Sequence, residues 1–258
     1  MNPQSPEQFT MPELCSSLAW DSNFWGYPIA RLNRCTLTEA SLAEVMAWCK
    51  SERTRCLYFA ADGTCPQTLA LAHAAGFQFV DARIDLAIQI NSPAAVPEIP
   101  GISVRRANAS DLEALQHLAR SAHRDSRFHK DVHFAPEKAA ALYAAWIHRD
   151  LVEHAVHVCT NHVADHAPLG YVTCQRGDGL QEGRIGLLGV DAGFHGRGIG
   201  RTLVMSALQW FNDNSVSTVR VATQATNVPA LRLYERTGFL TENVRIWLHK
   251  WFPSEDRR

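Results

Sequence analysis

The 258-residue chain has no excess of charge of either sign, since its 25 Lys and Arg nearly cancel its 26 Asp and Glu. Without such an excess no field steers it to nucleic acid or to an acidic membrane surface, and a small ligand is the default partner. It lacks an apolar run long enough to cross a bilayer, and no charged segment followed by an apolar stretch opens it, so the expected compartment is the cytoplasm. Its 7 cysteines are odd in number and scattered, with no Cys-x-x-Cys pair, which reads as reduced core thiols rather than a zinc or dithiol motif. Two nucleotide motifs are missing as well. No Gly-Lys precedes a Ser or Thr, so there is no Walker loop, and Arg201 stands where a dinucleotide fingerprint counted from Gly196 needs its third glycine.

What is present is an ordinary globular balance, 46% hydrophobic and 20% charged. A Pro-rich stretch from Asn91 to Gly101 (NSPAAVPEIPG) lacks periodicity and reads as a linker, dividing the chain into residues 1–97 and 98–258. Beyond it the pattern predicts a strand at Ile102–Arg106, a helix opening at Ser110 and a longer helix from Pro136 to about Val152. Three strands follow, Ala155–Thr160, Gly170–Gln175 and Gly183–Val190, the first two separated by a polar His-containing turn. A glycine loop, a helix from Gly200 to Phe211, a strand Thr218–Thr223, a helix from Val228 to Thr237 and a strand Val244–Leu248 complete an α+β order with a mixed sheet.

The chain also repeats weakly on itself. Leu69, Leu71, Gly76, Phe77, Arg83, Ile84 and Leu86 match Leu231, Leu233, Gly238, Phe239, Arg245, Ile246 and Leu248 at one offset (238 − 76 = 162). Both segments read as strand, helix, Gly-Phe, strand; duplication and chance similarity of amphipathic segments both account for it. Ala72 occupies the place of Tyr234, and no glycine loop precedes the first copy, so that copy is expected to act as a platform or substrate wall.

The sharpest chemical signal is His195-Gly196-Arg197-Gly198-Ile199-Gly200-Arg201, after an apolar strand and at the start of an apolar-faced helix. Glycines let a phosphate approach bare N–H groups, and the helix N-terminus adds partial positive charge. With the dinucleotide and Walker readings excluded, coenzyme A is the natural pyrophosphate ligand; the alternative is a glycine turn without ligand. Downstream, Asn227 is a good N-cap, Pro229 sits in the first turn and Gly238 closes the helix that carries Tyr234. A phenol there suits protonation of a leaving thiolate, although a core tyrosine is the alternative. Asp81 is the candidate base, against the reading of a solvated loop carboxylate, with Asp85 and Asp125 behind it. His129 and His133 have helical ligand spacing, but Lys130-Asp131 between them reads as loop, so no metal is expected.

The loop resembles the acyl-CoA signature of the GNAT acetyltransferases: Gly198 and Gly200 match, while His195 stands where Arg or Gln is usual. That resemblance implies a GNAT fold, acetyl-CoA as cosubstrate, contacts from Leu188, Gly189, Val190 and Asn227 as well as the loop, and Tyr234 as general acid. Leu18–Gly26, Ser126-Arg127-Phe128 with Tyr143–Ile147, and Val221–Gln224 further resemble the branch acting on dTDP-4-amino-4,6-dideoxygalactose. This implies a truncated N-terminal GNAT-like unit, a nucleotide-sugar acceptor, a carboxylate near Asp81, a role in cell-surface polysaccharide synthesis and a homodimer. Relative to that branch, the chain has extra residues at its start and around Thr160–Pro168. A GNAT acting on another small amine or peptide, or a non-catalytic acyl-CoA-binding regulator, is the competing expectation.

Overall fold

The computed structural model describes residues 14–91, 95–161, 167–177 and 181–253. Most of the extra residues at the start and the turn after Asn161 lie outside these. In chain order the elements are β1 (Cys15–Ser17), α1 (Ala19–Trp25), β2 (Ile29–Leu32), α2 (Glu39–Ser51), β3 (Cys56–Asp62), α3 (Pro66–Ala74), β4 (Gln78–Gln89) and β5 (Ile102–Arg106). There follow α4 (Leu112–Ala122), α5 (Arg127–Lys130), α6 (Pro136–Glu153), β6 (Ala155–Asn161), β7 (Pro168–Arg176) and β8 (Glu182–Val190). Last come α7 (Ile199–Asp213), β9 (Thr218–Gln224), α8 (Val228–Arg236) and β10 (Leu240–Trp251). Among the described residues no helix is long and apolar enough to cross a membrane.

The chain forms two compact units, one of Met1–Ala82 with Val244–Arg258, the other of Arg83–Asn243. The cuts therefore fall inside β4 and β10, not at the Pro-rich stretch near residue 97. The cause is long-range strand pairing. Residues 245–251 of β10 pair antiparallel with β3, from Arg245↔Asp62 to Trp251↔Cys56. Residues 83–89 of β4 pair antiparallel with β9, from Arg83↔Gln224 to Gln89↔Thr218.

These pairings sharpen the repeat. At the 162-residue offset the bounds of β3, α3 and β4 become those of β9, α8 and β10 (56 + 162 = 218; 89 + 162 = 251). Gly76 and Gly238 both adopt positive φ, 80° and 94°, which only glycine takes without a Cβ penalty. In each copy the following Phe N–H donates back to the helix, Phe77 to the Ala72 carbonyl and Phe239 to that of Tyr234, both at 3.0 Å. The offset also maps Arg83↔Gln224 onto Arg245↔Asp62, so each copy's last strand is paired with the other copy's first.

In the first unit β2 runs parallel to β3 and antiparallel to β1. Its core gathers Val45, Cys49, Leu57, Phe59, Ala61, Ala72, Phe77 and Leu248. α2 begins in a capping box, where Thr38 Oγ1 accepts from the Ser41 N–H and Ser41 Oγ from the Thr38 N–H.

In the second unit β5, β6, β7 and β8 form an antiparallel meander and β9 joins β8 in parallel. One face carries α7, whose Leu203, Val204, Ala207, Leu208 and Phe211 share a core with Val172, Ile185, Val219 and Val221. The other carries α4 and α6, with Leu115, Leu118 and Ile147 against Val156, Val158 and Tyr171.

Candidate active site

The second unit is opened between two of its strands. β8 follows β7 as far as Val190, and β9 follows β4 as far as Gln224, but β8 and β9 pair only up to Ile185↔Val221. Beyond that point the facing backbone edges have no ladder partner and form a notch. A bulge between Val172 and Cys174 turns β8 aside, and the Thr173 hydroxyl accepts the Leu187 N–H at 2.9 Å. Gly189 lies where its ladder partner Tyr171 fills the space. A Cβ there would sit 2.7 Å from the Tyr171 ring and 3.1 Å from Ala122. Leu188, Gly189 and Val190 therefore line the notch.

At the end of β8 the chain turns through Asp191, whose carboxylate accepts the Gly193 N–H at 2.8 Å. His195 is exposed, and its Nε2 lies 3.0 Å from the Val190 carbonyl oxygen, so the imidazole braces the strand end. Gly196 and Gly198 have φ of 75° and 86°, and nothing lies within 4 Å of a Cβ built on Gly196. α7 starts with no side-chain cap; its first internal bond runs from the Thr202 N–H to the Gly198 carbonyl at 3.0 Å. The N–H groups of Ile199, Gly200 and Arg201 have no partner among the described residues, at the positive end of a 15-residue helix. Ile199 is buried and anchors this terminus, while Arg197, stacked 5.0 Å over the Phe194 ring, and Arg201 are exposed. Gly200 serves packing as well, because a Cβ there would meet Leu233 at 3.2 Å.

The third component sits on α8. The Asn227 side chain accepts the Ala230 N–H at 3.2 Å, closing the helix start and leaving its amide N–H groups available. Tyr234 is 4% exposed, with its ring edge-on to Phe239 at 5.6 Å. Burial pushes the phenol pKa well above its ordinary value, which keeps the proton on oxygen. Its hydroxyl has no protein partner among the described residues and is not sealed from solvent. Unpaired helix amides, an open strand edge and a protonated phenol are together suited to diphosphate binding and proton donation to a leaving group.

The sequence profile of the Acetyltransferase (GNAT) family matches residues 112–239, from α4 through Phe239. The dTDP-fucosamine acetyltransferase of Escherichia coli is 32% identical over 176 residues, 68% of this chain and 72% of that protein. The chain belongs to the GNAT acetyltransferase family. It is an acyl-CoA-dependent N-acyltransferase. A spore coat polysaccharide biosynthesis protein of Bacillus subtilis is 32% identical over 56% of this chain, which spans about half of that relative (49%). In fold, the acetyltransferase is similar to a GCN5-related N-acetyltransferase from Sphaerobacter thermophilus, with a TM-score of 0.68 at 17% identity over 94% of this chain and 78% of that one.

Other candidate residues of the acetyltransferase take different places. Asp81 is in a strand of the first unit and is 3% exposed, with its Oδ1 accepting the Ala82 N–H at 2.9 Å; it is not a solvated loop carboxylate. Asp85 is held by Arg83 at 2.5 Å, and Asp125 is exposed. His129 bonds Ser126 and His133 bonds Asp131, and no metal-holding group of three or more His, Cys, Asp or Glu occurs among the described residues. One pair, a half-buried histidine on a buried tyrosine, escaped the sequence reading. His123 Nε2 lies 2.8 Å from the Tyr171 hydroxyl, and burial, with His129 adding, lowers its pKa to about 4. In the sequence His123 stands out only as one of the four histidines His117, His123, His129 and His133, where it lacks ligand spacing, and nothing there points to Tyr171.

Proposed function

We propose that the enzyme moves acetyl from acetyl-CoA to the 4-amino group of a dTDP-linked amino-deoxysugar. The observation that carries this reading is the notch between β8 and β9, with the uncapped start of α7 at one end and the Tyr234 phenol on α8. The relative acting on dTDP-fucosamine, similar over most of both chains, supports the acceptor class. When bound, acetyl-CoA supplies an activated acyl group whose transfer to an amine releases a thiol.

In this reading the amides of Ile199, Gly200 and Arg201 and the amide of Asn227 hold the cofactor, and the edge Leu188–Val190 orients the acyl carbonyl. The amine forms its C–N bond as the C–S bond breaks, and Tyr234 gives its proton to the departing sulfur. The proton lost by the amine goes to water. Replacement of Asp81 tests whether a carboxylate takes part. The first unit is read as a degenerate copy of the same fold, supported by the matched bounds of its strand–helix–strand segment and by Ala72 at the place of Tyr234.

The test is release of free thiol from acetyl-CoA with a panel of dTDP- and UDP-amino sugars, polyamines and peptides. Turnover of dTDP-4-amino sugars is the expected result. Turnover confined to peptides or polyamines would overturn the acceptor assignment, and acetyl-CoA binding with no turnover of any amine would favour a regulator.

A further inference from the structure

The sheet face under α4 and α6 carries a cation that the acyl-transfer chemistry leaves unused. On β8, a Cβ at Gly183 would strike Phe211 at 2.5 Å and Ile185 lies in the α7-side core, so Arg184 between them points to the opposite face. There its ladder partners are Gln175 on β7 and Arg220 on β9.

Among the described residues, the charges that act on it and its charged ladder partner are paired. Gln175 Nε2 donates to Asp150 at 3.3 Å, and Arg149 pairs with the same carboxylate at 3.0 Å. Arg220 is held by Glu242 at 2.9 Å and Glu182 at 3.0 Å, and Arg83 by Asp85. Arg184 has no hydrogen bond or ion pair with a described residue. It is solvent-reachable, yet desolvation by surrounding protein, with the charge of Arg83, lowers its pKa against the pull of Asp85 and Asp150. Arg184 is thus an exposed guanidinium whose neighbouring charges are already paired with one another, which leaves its fork of N–H donors available to an anion.

Position defines what such a group can hold. Arg184 is four residues before Leu188 on one strand, about 13 Å at the rise of an extended chain. A long arginine side chain spans part of that distance. An acceptor whose amine meets the acyl group at the notch and whose anion lies at the far end of a sugar ring covers the rest. A planar guanidinium suits the paired oxygens of a phosphate ester.

We propose that Arg184 anchors the diphosphate of the acceptor, a subsite separate from the helix terminus that takes the diphosphate of coenzyme A. This rests on the acceptor class proposed above. The subsite is tested without turnover, by calorimetric titration of CoA-saturated enzyme with inorganic pyrophosphate and with dTDP. Saturation with CoA occupies the α7 terminus, so the titration reads only a second anion site.

Arg184→Gln is expected to weaken both ligands about tenfold to a hundredfold, with Arg184→Lys in between, while CoA affinity stays at the wild-type value and reports an intact fold. The KM for a dTDP-amino sugar rises in parallel. Equal dTDP affinity in wild type and Arg184→Gln, or no binding of either ligand to the CoA-loaded wild type, overturns the proposal. So does an equal loss of turnover on a phosphate-free amine. If dTDP binding depends on Arg184 but no dTDP-amino sugar is acetylated, the subsite stands and the acceptor reading falls.

Discussion

Replacing Tyr234 with Phe removes one oxygen from a ring that is 4% exposed and packed against Phe239. The aromatic body stays, so the core contact survives. The lost hydroxyl had no protein partner among the described residues, so no buried group is orphaned and stability should shift by no more than about 0.5 kcal/mol. Catalysis is affected differently. Loss of a positioned acid costs about a hundredfold or more in kcat, roughly 2.7 kcal/mol of barrier. Because burial raises the phenol pKa, the wild-type kcat should show no fall from Tyr234 deprotonation at pH 10. Steady-state thiol release across pH 6–10, with CoA affinity by calorimetry and urea unfolding on both proteins, measures all three. An unchanged kcat would remove Tyr234 from the reaction. A hundredfold loss accompanied by several kcal/mol of destabilisation would reassign it to packing.

Gly198→Val places a β-branched side chain at φ 86° in the loop; strain of about 1–3 kcal/mol should accompany a raised KM for acetyl-CoA, and unchanged CoA affinity would contradict the loop assignment. Gly189→Ala sets a methyl 2.7 Å from the Tyr171 ring and should cost about 1–3 kcal/mol in urea unfolding with a lower kcat, so neutral behaviour would show that β8 can shift freely. His123 titrates near 4 when folded and near 6.5 when unfolded. The unfolded chain then takes a proton that the folded one refuses, so stability falls as pH drops from 6.5 to 4, by up to about 3 kcal/mol, and levels off below. His123→Gln should flatten that slope, and an equal slope in both proteins would show that other groups set it.

Features encoded by neighbouring residues were legible in the sequence. Asn227 and Gly238 bound α8 because caps and left-handed closures act within one turn, and the glycine loop declared itself by lying between an apolar strand and an apolar-faced helix. The two compact units do not part near residue 97, because their make-up depends on which strand pairs with which across the length of the chain, information that no local pattern carries. β10 begins at Leu240, earlier than the expected Val244, because its first residues are exposed and include Glu242, the partner of Arg220. Arg184 was missed for a related reason. A bulge breaks the period-two count along β8, so which residues face α4 and α6 and which face α7 cannot be carried from one end of the strand to the other.

The repeat supplies an internal comparison for the catalytic assignment. Both copies keep what the turn requires, a glycine at positive φ and a buried phenylalanine bonded back to the helix, and they keep identical helix and strand lengths. They differ four residues before that glycine, where the first copy has Ala72 and the second Tyr234. In the first copy the fully buried Ala72 closes the same helix onto the same kind of strand, so this supersecondary unit does not need a phenol there. The helix start differs in the same sense: Cys65 makes no capping bond in the first copy, whereas Asn227 caps in the second and keeps an amide free. A side chain that packing alone could replace with a methyl group, in the one copy that also has an uncapped helix start beside an open strand edge, is better explained by chemistry at that edge than by the core.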